Sequence, residues 1–200
     1  IQAIFMTYSI IGSGNVGSAL ARQFARSGIA VGVANTRGPD SIETLEKELA
    51  GYVTALTLQD AVKADVIILA VPFSAHVDVA HAAEQWTDKI VVDAMNTYGV
   101  PTEALKGQPS TVVVASAFSG AGVVKTFNQL PAKLLATDPV EHGRRRVMFL
   151  AGDDAQATVA ISKLVGDLGF APIVLGALSE AGTLLDKGGA LVLQNLIKQG

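Results

Sequence analysis

The 200-residue sequence predicts an α/β fold: a doubly wound, mainly parallel sheet with a small C-terminal α/β extension. Three observations predict it. Short apolar, β-rich runs alternate with longer stretches of helical periodicity. A glycine-rich turn stands between the first such run and the first helical stretch. Half of the residues are apolar and only 16% are charged, as a sheet covered on both faces requires.

The elements follow in order. Residues 7–11 read as the first strand. Residues 15–27 read as a helix with Val16, Leu20 and Phe24 on one face, stopped by Gly28. A second strand is expected over 29–34. A helix follows over 41–50, with Ser41 as N-cap and charges on its outer face. Residues 52–56 form a third strand and 58–63 a short helix. The fully apolar run 66–71 is a fourth strand, ended by Pro72. A helix over 74–86 leads to a fifth strand at 90–93, which completes the two mononucleotide halves of a doubly wound sheet. Beyond these, 110–118 is read as a helix because Ser110 is a good N-cap, and 123–127 as the next strand. A strand over 147–151, a helix over 154–168 capped by Asp153, a strand over 172–175 and a helical tail to 197 complete the chain.

Composition excludes several classes of function. A net charge of −3 leaves no basic field for a polynucleotide, so no nucleic-acid partner is expected. Cysteine is absent, which removes disulfides, thiolate nucleophiles and cysteine-bound metals. No apolar run reaches the roughly 18 residues that a bilayer-spanning helix needs, so no membrane association is expected. These features fit a cytoplasmic protein. Residues 1–5 read as a non-native or disordered leader before Met6, and residues 6–200 as a single domain.

The turn Gly12-Ser13-Gly14-Asn15-Val16-Gly17 carries the chemistry. In a Rossmann-type unit the first glycine permits the tight turn, and the second lets a pyrophosphate approach the backbone. The third lets the helix pack closely on the sheet. The helix start then offers unpaired N–H groups and a partial positive charge to the phosphates. An NAD-binding domain places Asp or Glu at the end of the second strand to accept from the ribose 2′-hydroxyl. Here that place reads Asn35-Thr36-Arg37, and no carboxylate appears before Asp40. Neutral donors and a guanidinium that can fork onto phosphate oxygens select the 2′-phosphate of NADP(H).

Other residues offer less. His76 and His81 are five apart on the expected helix, so they do not form a metal-binding pair, and no metal site is expected. A surface role is expected for His76. His142 falls beside Arg144, Arg145 and Arg146 in what reads as a solvated polar connection. Among Phe73, Met95, Tyr98 and Phe118, only Phe73 is placed against a bound ring, because it follows Val71-Pro72 at a strand end.

With these motifs in place, the sequence resembles the NADP oxidoreductases that work with the deazaflavin coenzyme F420. It also resembles the cytosolic NADPH-binding domain of the six-transmembrane metalloreductases. The matching stretches are Ile11-Gly12-Ser13-Gly14-Asn15-Val16-Gly17, Ala34-Asn35-Thr36-Arg37-Gly38-Pro39 and Leu69-Ala70-Val71-Pro72. Further matches are Val91-Val92-Asp93-Ala94, Val124-Lys125-Thr126-Phe127-Asn128 and Phe149-Leu150-Ala151-Gly152-Asp153-Asp154. The resemblance implies a homodimer with NADPH across the C-terminal edge of the sheet, and hydride transfer to a flat ring stacked beside the nicotinamide. It implies that Ser13 to Val16 hold the pyrophosphate, that Thr36 and Arg37 hold the 2′-phosphate, and that Val71 and Pro72 line the nucleotide side. It places Asn128, Leu130 and Pro131 near the nicotinamide and the acceptor. Where the deazaflavin enzymes carry His-Thr-Ile-Pro-Ala, this chain has Asn128-Gln129-Leu130-Pro131-Ala132, so ordinary flavin joins coenzyme F420 as a candidate acceptor.

Hydride transfer to such a ring needs no catalytic acid or base, and none is assigned. The stretch after the sixth strand is expected to be too short for the full helical domain of β-hydroxyacid and imine reductases unless subunits share it. The alternative to a flavin or deazaflavin reductase is a redox sensor that binds NADPH without turnover. The apolar tail Ala190 to Ile197 adds to the expectation of a homodimer.

Overall fold

The computed structural model describes residues 6–199, so the leader expected over residues 1–5 lies outside the described residues. Six parallel strands form the centre: β1 (Tyr8–Ile11), β2 (Val31–Ala34), β3 (Val53–Ala55), β4 (Val66–Leu69), β5 (Ile90–Asp93) and β6 (Gly122–Lys125). Their order across the sheet is β6-β5-β4-β1-β2-β3, with β1 paired to both β2 and β4. The chain therefore winds outward from β1 twice, in opposite directions. A crevice opens at the C-terminal ends of β1 and β4, where the direction reverses.

Alternation along the strands builds two cores, one on each face. Ile10, Ile68, Val92 and Val124 point to one face, against Leu20 and Phe24 of α1 (Asn15–Arg26) and Ile161 of α7 (Ala155–Asp167). Ile11, Ile67, Leu69, Val91 and Val123 point to the other. There they meet Val79 of α4 (His76–Ala80), Val114 of α5 (Ser110–Ala117) and Leu185 of α8 (Leu178–Leu185). Strands β4 and β5 are buried along their whole length, which is why they read as unbroken apolar runs.

The extension is built on β8 (Arg144–Gly152), which runs antiparallel to β6 and pairs with β7 (Val140–Glu141), β9 (Ala171–Val174) and β10 (Ile197–Lys198). His142 and Gly143, at φ of 50° and 76°, form the two-residue turn of the β7–β8 hairpin. Two positive φ values in succession suit the twist of such a hairpin. The connection expected to be solvated is thus a hairpin, and Arg146 is buried. Its guanidinium donates to Asn195 Oδ1 (2.8 Å), Thr137 Oγ1 (3.2 Å) and the Asp138 carbonyl (3.1 Å), tying the C-terminal segment to the sheet.

Several boundaries differ from expectation for local reasons. Ser41 is not an N-cap. It lies in a 3-10 turn over Pro39–Ile42, where its hydroxyl donates to the Gly38 carbonyl, and α2 (Glu43–Glu48) starts later. Helix α4 ends at Ala80 rather than 86, because the Trp86 indole N–H takes the Ala80 carbonyl (3.0 Å). Asp154, not Asp153, caps α7, accepting from Ala157 N (2.8 Å); Asp153 accepts from Leu178 N instead. Ser110 opens α5, but it is Asp186, 76 residues away, that accepts its N–H and hydroxyl. The helical tail stops at Leu185. Gly188 and Gly189 follow, and the chain runs on to pair with β8.

Candidate functional site

The glycine turn joins β1 to α1 across the crevice, and its three glycines are glycine for different reasons. Gly12 sits at φ +112°, donates to the Ala34 carbonyl, and would place a Cβ 2.1 Å from the Ala70 oxygen. A Cβ on Gly17 would lie 1.8 Å from the Gly12 oxygen. Both positions are forced by packing within the chain. Gly14 is exposed, its φ of −74° is open to any residue, and a Cβ there would meet nothing within 4 Å. As the N-cap of α1, Gly14 suits its place, but no steric clash within the chain forbids a side chain there, whereas a phosphate group lying against its backbone would.

At the end of β2, Asn35 organises the loop that faces this turn. Its amide donates to Ser13 Oγ (2.6 Å) and Ser41 Oγ (2.9 Å), and its Oδ1 accepts from Arg37 N (2.8 Å). Asn35 therefore holds the loop's shape. Thr36 and Arg37 are exposed, and the Arg37 guanidinium reaches back to Ser13 Oγ (3.4 Å). The guanidinium stands where a group on the ribose beyond the glycine turn would meet it.

Gly12, Ser13, Gly14, Asn35, Thr36, Arg37, Val71 and Pro72 line one cavity of about 360 Å³. Of the remaining sequence-predicted nucleotide residues, Asn15 is exposed on a neighbouring hollow, Val16 is half-buried against the core, and Gly17 lies beneath the turn. The cavity also takes in residues that sequence reasoning missed: Leu58, Ala75, Asp78 and Val79. Their signal was position alone, since α4 begins just beyond the C-terminal end of β4, at the crevice.

The residues expected around the nicotinamide and the acceptor do not converge on one pocket. Phe73 turns inward, 7% exposed, into the core beneath α4, with its ring 4.8 Å from that of His76. His76 is buried too, with Nδ1 against the Phe73 carbonyl, rather than on the surface. Leu130 is buried in the opposite core. Asn128 is buried, and its amide donates to Asn96 Oδ1 (3.0 Å) and the Leu185 carbonyl (2.6 Å). Asn96 returns a bond to the Asn128 carbonyl (3.1 Å). Pro131 alone is exposed, beside Asn15, Ser18 and Arg22 in a hollow of about 460 Å³.

A buried ion pair that the sequence did not reveal supports this side. Lys125 Nζ lies 3.1 Å from Asp93 Oδ2, joining the ends of β6 and β5, and also donates to the Met95 carbonyl. Asp93 Oδ1 accepts from Met95 N (3.0 Å), which fixes the start of the loop that carries Asn96. No group of three or more potential metal ligands occurs among the described residues. No helix among them is long and apolar enough to cross a membrane.

Residues 7–97, which contain the whole cleft, match the family NADP oxidoreductase, coenzyme F420-dependent. Over 177 residues the chain is 32% identical to the metalloreductase STEAP3 of Rattus norvegicus, covering 86% of this chain and 34% of that protein. A hypothetical protein from Sinorhizobium meliloti is 41% identical, with a TM-score of 0.92 over 98% of this chain and 97% of that one. Over residues 7–97 the chain belongs to this family, NADP oxidoreductase, coenzyme F420-dependent. A protein from Arthrobacter sp. FB24 described as an F420-dependent NADP reductase shares the fold, at 24% identity and a TM-score of 0.74 over 89% of this chain and 88% of that one. The chain spans about a third of the length of the curated metalloreductases it matches.

Proposed function

We propose that this protein is an NADPH-dependent oxidoreductase that passes hydride between NADP(H) and a flavin or deazaflavin of the F420 type. The observation that carries the reading is Gly14: a glycine at the helix start that no clash within the chain requires, with its backbone facing open space. With it stand Arg37 and Thr36 beyond β2, on the same cavity. Family membership supports the cofactor.

Each part of the chain then has a role. The N–H groups at the start of α1, from Ser13 to Val16, hold the pyrophosphate, aided by the positive end of the helix. Thr36 and Arg37 hold the 2′-phosphate, with Asn35 keeping their loop in place. Val71 and Pro72 form the apolar wall beside the nucleotide. The nicotinamide, when bound, supplies the hydride chemistry itself. The protein's task is to fix the distance between two rings and to exclude water. The loops at Asn96 and Asn128 are hydrogen-bonded to each other, which suits that task, and the hollow at Pro131, which also takes in Asn15, gives a ring acceptor room. A homodimer, with the exposed Leu193 and Leu196 in its interface, belongs to the same proposal and is checked by sedimentation at micromolar concentration.

The direct test follows NADPH oxidation with FMN, FAD and coenzyme F420 supplied in turn. The reading expects turnover with one or more of them and little with NADH. Tight NADPH binding without turnover on any acceptor would favour the sensor role instead.

A further inference from the structure

The cavity at the glycine turn has two chemically distinct ends. Ser13, Thr36 and Arg37 make one end polar and cationic. Leu58, Ala75 and Val79, from the segment after β3 and from the start of α4, make the rest of the lining apolar, apart from one acidic residue, Asp78 in the first turn of α4. This is an unusual place for an acid. A nucleotide brings phosphates into the cleft, and a carboxylate on the wall repels them. None of the ion pairs among the described residues engages Asp78. Arg37, which shares the cavity, lies against Ser13 instead.

An acid on that wall accepts from a donor, and among the parts of a nucleotide an apolar wall suits the flat base, whose donor is an amino group. We propose that Asp78 accepts the exocyclic amino group of the adenine base, and so makes the protein select adenine nucleotides by base as well as by 2′-phosphate. The inference rests on the NADP(H) reading above. If Arg37 takes the 2′-phosphate at the polar end, the base attached to that ribose falls toward the apolar end, between Leu58 and α4. Adenine offers its amino hydrogens there. Hypoxanthine, which differs by an oxygen at that position, offers an acceptor to an acceptor. Rejection of such an analogue comes from the polar group left unpaired.

The test is a binding titration and needs no electron acceptor. Reduced NADP and its hypoxanthine analogue are titrated into the parent protein, Asp78→Ala and Asp78→Asn, with thermal unfolding as a check on the fold. Asp78 is exposed, so both variants should unfold as the parent does. The parent should favour the adenine form by roughly ten- to a hundredfold, the range of a hydrogen bond to a charged group. Asp78→Ala should bring the ratio close to one, chiefly by weakening the adenine form. Asp78→Asn should also lower it, because an amide can donate to the hypoxanthine oxygen. Equal binding of both bases by the parent would overturn the inference while leaving the cofactor reading intact. So would an Asp78→Ala variant that shifts both affinities by the same factor. A parent that binds neither form would overturn the cofactor reading, and this inference with it.

Discussion

Thr36 and Arg37, beyond β2, are exposed and rest on a single hub, Asn35, whereas Asn128, Gln129 and Leu130, beyond β6, are each 4% exposed or less. At the first end the guanidinium makes one long contact and remains accessible. At the second, the Asn128 amide is committed to Asn96 and Leu185. Gln129 accepts from Phe149 N (2.8 Å) and donates to the Val147 and Gln194 carbonyls (3.2 Å each). Polar residues therefore do opposite things at the two ends. On the proposed function, the exposed donors at the first end are left free to meet an anion, and the polar groups at the second are spent inside the protein on cross-linking the loops beside a ring.

The largest expected effect lies at the buried end. Lys125→Met leaves the Asp93 carboxylate without its partner in the core, and should cost about 3–5 kcal/mol of stability. Denaturant unfolding measures this. The double variant with Asp93→Leu should recover much of the loss, because removing both charges removes the desolvation penalty. A single variant as stable as the parent would show that the buried end is not held by charge.

Next comes the glycine turn, where the comparison can be drawn within one motif. Gly17→Ala drives a Cβ into the Gly12 carbonyl and should destabilise on the order of 3 kcal/mol, the upper part of the range for overpacking. Gly14→Val should cost no more than about 1 kcal/mol, the scale of an N-cap change, and yet lose nucleotide binding. If Gly14→Val binds NADPH normally, the open space at that position is not a phosphate site.

At the exposed end, Arg37→Ala should leave stability unchanged and weaken NADPH binding by about 1.5–3 kcal/mol, the value of a charge-assisted contact. NADH binding should barely change. Equal losses for both nucleotides in a titration would remove Arg37 from the 2′-phosphate site.

The smallest effect lies at the N-terminal ends of the central strands, opposite the crevice, where Thr7 N and Oγ1 both donate to Asp65 Oδ2 (2.7 Å each) and tie β1 to β4. The backbone bond from Thr7, then its hydroxyl, hold the Asp65 carboxyl below its ordinary pKa. Such a contact stabilises fully above the unfolded pKa and is lost as pH falls through the lower folded value. Asp65→Asn should thus be modestly less stable than the parent at neutral pH. The gap should narrow as pH drops below about 4, in thermal scans across that range.

Much of this was legible in the sequence. Short apolar runs at β1, β4 and β5 gave the sheet, and the spacing of Gly12, Gly14 and Gly17 gave the turn, because both are local patterns. The residues after β2 gave the exposed end for the same reason: they act toward solvent, from a loop next to the motif. The buried end was not legible. Asp93 meets Lys125, Asn96 meets Asn128 and Asp186 caps Ser110 only once strands and helices distant in sequence have docked. Phe73 looked like a ring contact because it follows a strand end, but which way it turns is set by packing against His76 and the second core. Asp78 was missed because the rotation of α4 decides whether its carboxylate faces the cleft.

The account's central claim is that the end of β2 is built for a phosphate where related folds carry an acid. Titration calorimetry of the parent protein with NADPH and with NADH tests it directly. NADPH should bind at least about tenfold more tightly, the least expected of a charge-assisted contact. Equal affinity, or tighter binding of NADH, would contradict the claim.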